Sequence, residues 1–131
     1  MAAVEFALVS LLMMTWIFGL MEVARAYWTY QIIQEVAIQG ARCMGVLSSS
    51  CASGGAYSAS TAQSYMVTVA SNLGMTLPAD DIVVARPASC AGTAGFSAVS
   101  INYNFKTLMP TLIPSLSTVP LTANSCAFNT R

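Results

Sequence analysis

Residues 6–21 read FALVSLLMMTWIFGLM, sixteen positions without a charge. As an α-helix this run spans about 24 Å, and a hydrocarbon core of about 30 Å takes ~20 residues. Residues 2–4 make it just long enough. A secretory signal peptide would start with a cationic segment, carry a shorter apolar run and end in small residues before a cleavage site. Here no basic residue precedes Arg25, and a carboxylate stands at Glu5. The stretch therefore reads as a helix retained in the working protein.

Downstream of Met21 the helical pattern continues but becomes one-sided. Val23, Tyr27, Tyr30, Ile33, Ala37, Ala41 and Met44 recur every three or four positions, with Glu22, Arg25, Glu35 and Arg42 mostly between them. That is one buried stripe. The spacing predicts a single helix over 2–47, about 70 Å long. Its half 1–22 suits a membrane or a bundle of like helices, and its half 23–47 packs on a head formed by 48–131.

Composition narrows the function classes. Of 131 residues, 56% are hydrophobic and 8% charged, against roughly 25% charged in an ordinary soluble domain, so a freely soluble monomer is not expected. Five basic residues (Arg25, Arg42, Arg86, Lys106, Arg131) balance five acidic ones and nowhere cluster, which argues against nucleic acid as a partner. Histidine is absent, removing the commonest general base and zinc ligand. No G-x-S-x-G elbow occurs. Neither an enzyme nor a bound cofactor or metal is expected. Asp80 and Asp81, adjacent carboxylates without further oxygen ligands nearby, read as the start of a strand after a turn.

The head reads as α+β. Residues 48–55, SSSCASGG, form a small-polar loop that ends the first helix. A second, shorter helix follows over about 58–73, with Ala62, Tyr65 or Met66, Val69 and Leu73 on one face, Gly74 as a left-handed cap and Pro78 beyond it. Three strands follow. The first covers 81–85, bounded by Pro78 and Pro87. In the second, Val99, Ile101, Tyr103 and Phe105 alternate with polar residues. The third runs over about 119–128, with a bulge expected near Cys126, where alternation fails. The connection 107–118 carries Pro110 and Pro114 and is a loop, unusually apolar for one.

None of the four cysteines shows C-x-x-C spacing, so two disulfides in an oxidising compartment are expected. Three pairings are possible. If the last hairpin centres near residue 112, Cys126 lies opposite about residue 98, at the end of the sheet where Cys90 sits. Cys90 then pairs with Cys126, and Cys43 with Cys51.

Around the decisive stretch lie four landmarks: MAAVEFALV at the start, with Glu5 and Phe6; Phe18-Gly19; Glu22 with Arg25, completing an F-G-x-x-E-x-x-R pattern; and Gly40-Ala41-Arg42 at the helix end. In this combination the chain resembles the TadE-like pseudopilins of tight-adherence pili, members of the type IV pilin-like superfamily. Those proteins commonly carry a proline within the apolar run, which this chain lacks. The resemblance implies a structural subunit of a bacterial, extracellular pilus-like filament that polymerises through its apolar helix. It further implies residence in the inner membrane before assembly, with the head in the periplasm. Implied partners are further copies of the chain, other pilins, a prepilin peptidase and the pilus assembly machinery. The peptidase would make Met1 the first residue of the mature chain. A minor component that primes or caps such a pilus is the second structural reading. A single-span membrane protein with a disulfide-bonded binding head is the third.

Met1, Glu5, Phe6, Glu22 and Arg25 are the candidate assembly residues. An ionised Glu5 flanked by Val4, Phe6, Ala7 and Leu8 loses several kcal/mol on leaving water unless a cation compensates it. The resemblance implies that this cation is the α-amine of residue 1 in a neighbouring subunit, so that correct stagger is rewarded. Glu5 also lies one turn from its own α-amine, and intramolecular pairing is the alternative. Glu22 and Arg25, three apart, pair on one helix face, either as a solvated pair or as a bridge between subunits. Phe6, Trp16, Phe18, Tyr27, Trp28 and Tyr30 read as packing and interfacial anchors.

Overall fold

Forty-four residues, Ala2–Gly45, form one α-helix, α1, free of proline and of charge repulsion within its apolar part. The computed structural model describes residues 2–108 and 117–130. Met1, Arg131 and most of the apolar connection 107–118 lie outside the described residues. Helix α1 ends on Leu47, whose φ of 49° is left-handed. There Ser48 N–H donates to the Cys43 carbonyl and Leu47 N–H to that of Met44, the two bonds that close a helix when the chain reverses.

Residues 48–55 are more than a loop. Ala52–Ser53 (β1) pairs with Ala56–Tyr57 (β2) around Gly54-Gly55. Both glycines have positive φ, 62° and 81°, as a two-residue hairpin turn of this hand demands. Helix α2, Ala59–Asn72, starts on Ser58, whose hydroxyl accepts from Thr61 N–H. Ala62, Met66 and Ala70 form its buried face. Leu73, expected on that face, is exposed. The helix has ended there, and Gly74 at φ 80° turns the chain so that Met75 and Leu77 enter the core instead.

After a 3-10 turn, Ala79–Asp81, three strands make an antiparallel meander: β3 (Ile82–Cys90), β4 (Thr93–Lys106) and β5 (Thr118–Phe128). Strand β3 does not stop before Pro87. Its register skips Arg86 and Pro87 between the pairs Ala85–Ala98 and Ala88–Phe96, a bulge tolerated because β3 is an edge strand and proline lacks the N–H a central strand needs. The bulge expected near Cys126 is not there: β4 and β5 pair without interruption from Phe96–Phe128 to Lys106–Thr118. Alternation fails at Cys126 because it occupies the outer face, opposite Ala98. Both disulfides form as expected, Cys43–Cys51 and Cys90–Cys126.

One face of the sheet packs on the helices. Ile33, Val36, Ala37, Ala41 and Met44 of α1 meet Val99, Ile101 and Ala123 of the sheet and Ala62, Met66 and Ala70 of α2 in a single core. Toward the N-terminus the expected stripe fails: Val23 and Tyr27 are exposed. The half-buried residues there are Glu22, Ala26 and Thr29, which continue the face of Ile33 at helical spacing.

Two glycines of α1 set close approaches. A Cβ on Gly40 would clash with Met66 Sδ, and one on Gly45 would fall 2.7 Å from the backbone carbonyl oxygen of Phe128. Alanine gains about 1 kcal/mol of helix propensity at either position. Met66 is fully buried and its Cγ is crowded as well as its Sδ, so it must repack within the core, and the end of β5 is held by Thr130 N–H on the Gly45 carbonyl. Gly40→Ala and Gly45→Ala are therefore each expected to cost about 1–3 kcal/mol. Thermal unfolding of the full chain in detergent micelles measures both; an unchanged or raised midpoint in either variant would contradict this packing.

Tyr57 stands beside Arg86 with its hydroxyl covered and without a hydrogen-bond partner among the described residues. Burial raises its pKa, and the Arg86 charge opposes that shift. A raised pKa favours the neutral phenol in the folded state, so this stability is intact below about pH 10 and falls as pH rises toward the folded-state pKa. Tyr57→Phe should lie within about 1 kcal/mol of the parent at pH 7 and resist alkaline unfolding better. Unfolding curves at pH 7 and above pH 10 test both halves.

Candidate functional site

The N-terminal half of α1 is uncovered. From Val4 to Met21, thirteen large apolar side chains stand exposed, Phe6 at 76% and Trp16 at 72% among them. Full burial of such a side chain is worth about 1.5–3 kcal/mol, and at 46–76% exposure each they together represent about 10–25 kcal/mol. That is as much as the 5–15 kcal/mol by which a whole domain is ordinarily stable, or more. This surface needs a cover of lipid or of other helices.

The backbone is already adapted to such a cover. The hydroxyls of Ser10 and Thr15 donate back to the carbonyls of Ala7 and Leu11, leaving neither group to seek water. By length and mean hydropathy the helix is able to cross a membrane. At Gly19 the surface dips into a shallow apolar groove of about 370 Å³ flanked by Thr15, Trp16, Leu20 and Val23, a place where another helix can approach closely.

Within 4–21 the single charge is Glu5, exposed in the first turn of α1 beside exposed Phe6. Its candidate partner Met1 lies outside the described residues, and so does the pairing of Glu5 with its own α-amine. In hydrocarbon or among helices the carboxylate needs a cation to offset its lost hydration.

Glu22 and Arg25 form an ion pair of 2.9 Å, and the pair is built into the junction of helix and head. Glu22 Oε1 also accepts from Leu108 N–H at 3.3 Å, and the Arg25 guanidinium lies 5.5 Å from the centre of the Phe105 ring, a cation–π contact. The top of β4 is thus tied to α1 where the apolar segment begins. Phe105 and Leu108 were not among the expected site residues. The one signal was Phe105 ending the surest alternating strand, which does not say what it meets. Glu5 and this junction are separate places, 17 residues and about 25 Å apart along the helix.

At the other end of the head, Cys43–Cys51 ties α1 to the hairpin β1–β2, and Cys90–Cys126 joins the edge strands β3 and β5. Asp80 and Asp81 sit side by side in the 3-10 turn. Among the described residues no group of three or more His, Cys, Asp or Glu is placed to hold a metal ion.

Residues 1–42 match the family model described as TadE-like protein. The match covers α1 nearly to its end, the part that carries the four landmarks, and stops before the head. No curated protein and no solved structure matches the chain.

Proposed function

We propose that this chain is a structural subunit of an extracellular filament of the tight-adherence, type IV pilus-like kind, assembled by bundling the apolar halves of α1 with the heads outside. A TadE-like N-terminal segment on a helix able to span a membrane fits a subunit related to the Tad pilus, located at the membrane or cell surface. The observation that carries the finer reading is the uncovered length of α1: its apolar surface is too large for water and suits two successive covers, lipid first and neighbouring helices afterwards. Polymerisation exchanges the one for the other. Zero net charge removes long-range repulsion between copies, and Glu5 sets their stagger by requiring a cation from a neighbour. The partners are further copies of the chain, with a prepilin peptidase and assembly machinery acting on the membrane-held form.

Electron microscopy of material sheared from producing cells tests this. Abundant helical fibres composed of this 13.8 kDa chain are expected. Fibres made of another subunit, with this chain present in traces, would assign it the priming or capping role. Protein confined to the membrane fraction would assign it a single-span binding role.

A further inference from the structure

We propose that Arg42 of a second copy supplies a cation to Glu5, in a groove at the far end of the head; the inference rests on the filament reading above. Arg42 lies in the last turn of α1, on an exposed face that also carries Gln31, Glu35 and Val46. Between α2 and the end of β5 this face forms a groove of about 420 Å³. Val46, Tyr65 and Phe128 line it, and Arg42 is the single charged residue among its lining. Val46 is 56% exposed and Phe128 64%, so the groove presents apolar surface around one cation. The uncovered half of α1 presents the complement, apolar surface around one anion, Glu5.

Elimination leads to the same pair. Arg25 is held by Glu22 and Phe105, Arg86 has contacts of its own and stands beside Tyr57, and Lys106 lies on the outer face of β4. Among the described residues, Arg42 is therefore the cation on the open face of α1 still free to meet a neighbouring helix. Glu5 and Val9 are four apart on one helix, as are Arg42 and Val46, so a parallel neighbour that sets carboxylate against guanidinium sets Val9 against Val46. Its displacement along the axis is about 55 Å. Copies at smaller displacements cover the apolar surface between. A carboxylate has two oxygens, so Arg42 and an α-amine can serve Glu5 together.

The test uses sheared filaments of the full chain. With benzoylphenylalanine in place of Val46, photo-crosslinked peptides are expected to map to residues 4–13 of a second copy. Adducts only elsewhere, on heads or on the 107–118 connection, would overturn the pairing while leaving the filament intact. Arg42→Gln is expected to lower filament yield by about tenfold or more, since it removes one of the two cations that offset the carboxylate, and Arg42→Lys to retain most of it. Equal yields from Arg42→Gln and the parent would also overturn it. Absence of fibres from the parent chain would instead remove the filament reading, and this inference with it.

Discussion

Cells producing the Glu5→Ala variant should hold it in the membrane at the parent level and shed almost no filaments. The two halves of this expectation have different causes. Insertion depends on the apolar run from Val4 to Met21, and removing an ionisable group from that run makes transfer into lipid easier by about 2 kcal/mol or more. In the filament proposed above, assembly depends on stagger. Without the carboxylate, every displacement of one apolar helix along another buries similar surface, and the cations meant for Glu5 are left unpaired. An unpaired buried charge costs about 3–5 kcal/mol per subunit, which is two orders of magnitude or more in the growth equilibrium at each addition. Immunodetection in membrane and sheared fractions measures both halves together. Normal filament yield from the variant would remove Glu5 as the registry device; loss from the membrane as well would mean that the residue acts before assembly.

The long helix was legible because its signal is local and repeated: an uncharged run, then an apolar stripe at helical period. The Cys90–Cys126 bridge was legible for a related reason, since alternation at Val99, Ile101, Tyr103 and Phe105 set a register that placed Cys126 opposite residue 98, where the structure has Ala98. Features decided by tertiary approach were not. The bond from Leu108 to Glu22 joins residues 86 apart, and nothing near Glu22 distinguishes a tied pair from a solvated one. Gly40 and Gly45 look like costs to a helix until Met66 and the Phe128 carbonyl are placed against them. The hairpin at Gly54-Gly55 was encoded locally, yet strands of two residues carry no periodicity to announce them. Val23 and Tyr27 continue the apolar stripe in the sequence, but the half-buried face lies further round, at Ala26 and Thr29, so the sequence carries the helical period and not its phase.

The head is built on a modest core, and the second large effect is expected there. Replacing Cys90 and Cys126 together by alanine should cost about 2–5 kcal/mol. The bridge closes a separation of 36 residues and joins β3 to β5 across the strand between them; without it the ladder hydrogen bonds of each edge strand run to β4 alone. Strand β3 is the weaker of the two, since its register is already broken around Arg86 and Pro87. Its end should therefore fray first, with faster amide exchange over residues 86–90 than over β5. The two bridges also differ in access. Cys51 is fully buried and Cys43 nearly so, whereas Cys126 lies on the outer face. Mild dithiothreitol followed by alkylation and mass spectrometry should label Cys90 and Cys126 before Cys43 and Cys51, because thiolate attack requires access to a sulfur. Thermal unfolding in detergent micelles gives the stability loss. An unchanged midpoint in the double variant, or labelling of the Cys43–Cys51 pair first, would show that the bridge across the sheet is not what holds its edges.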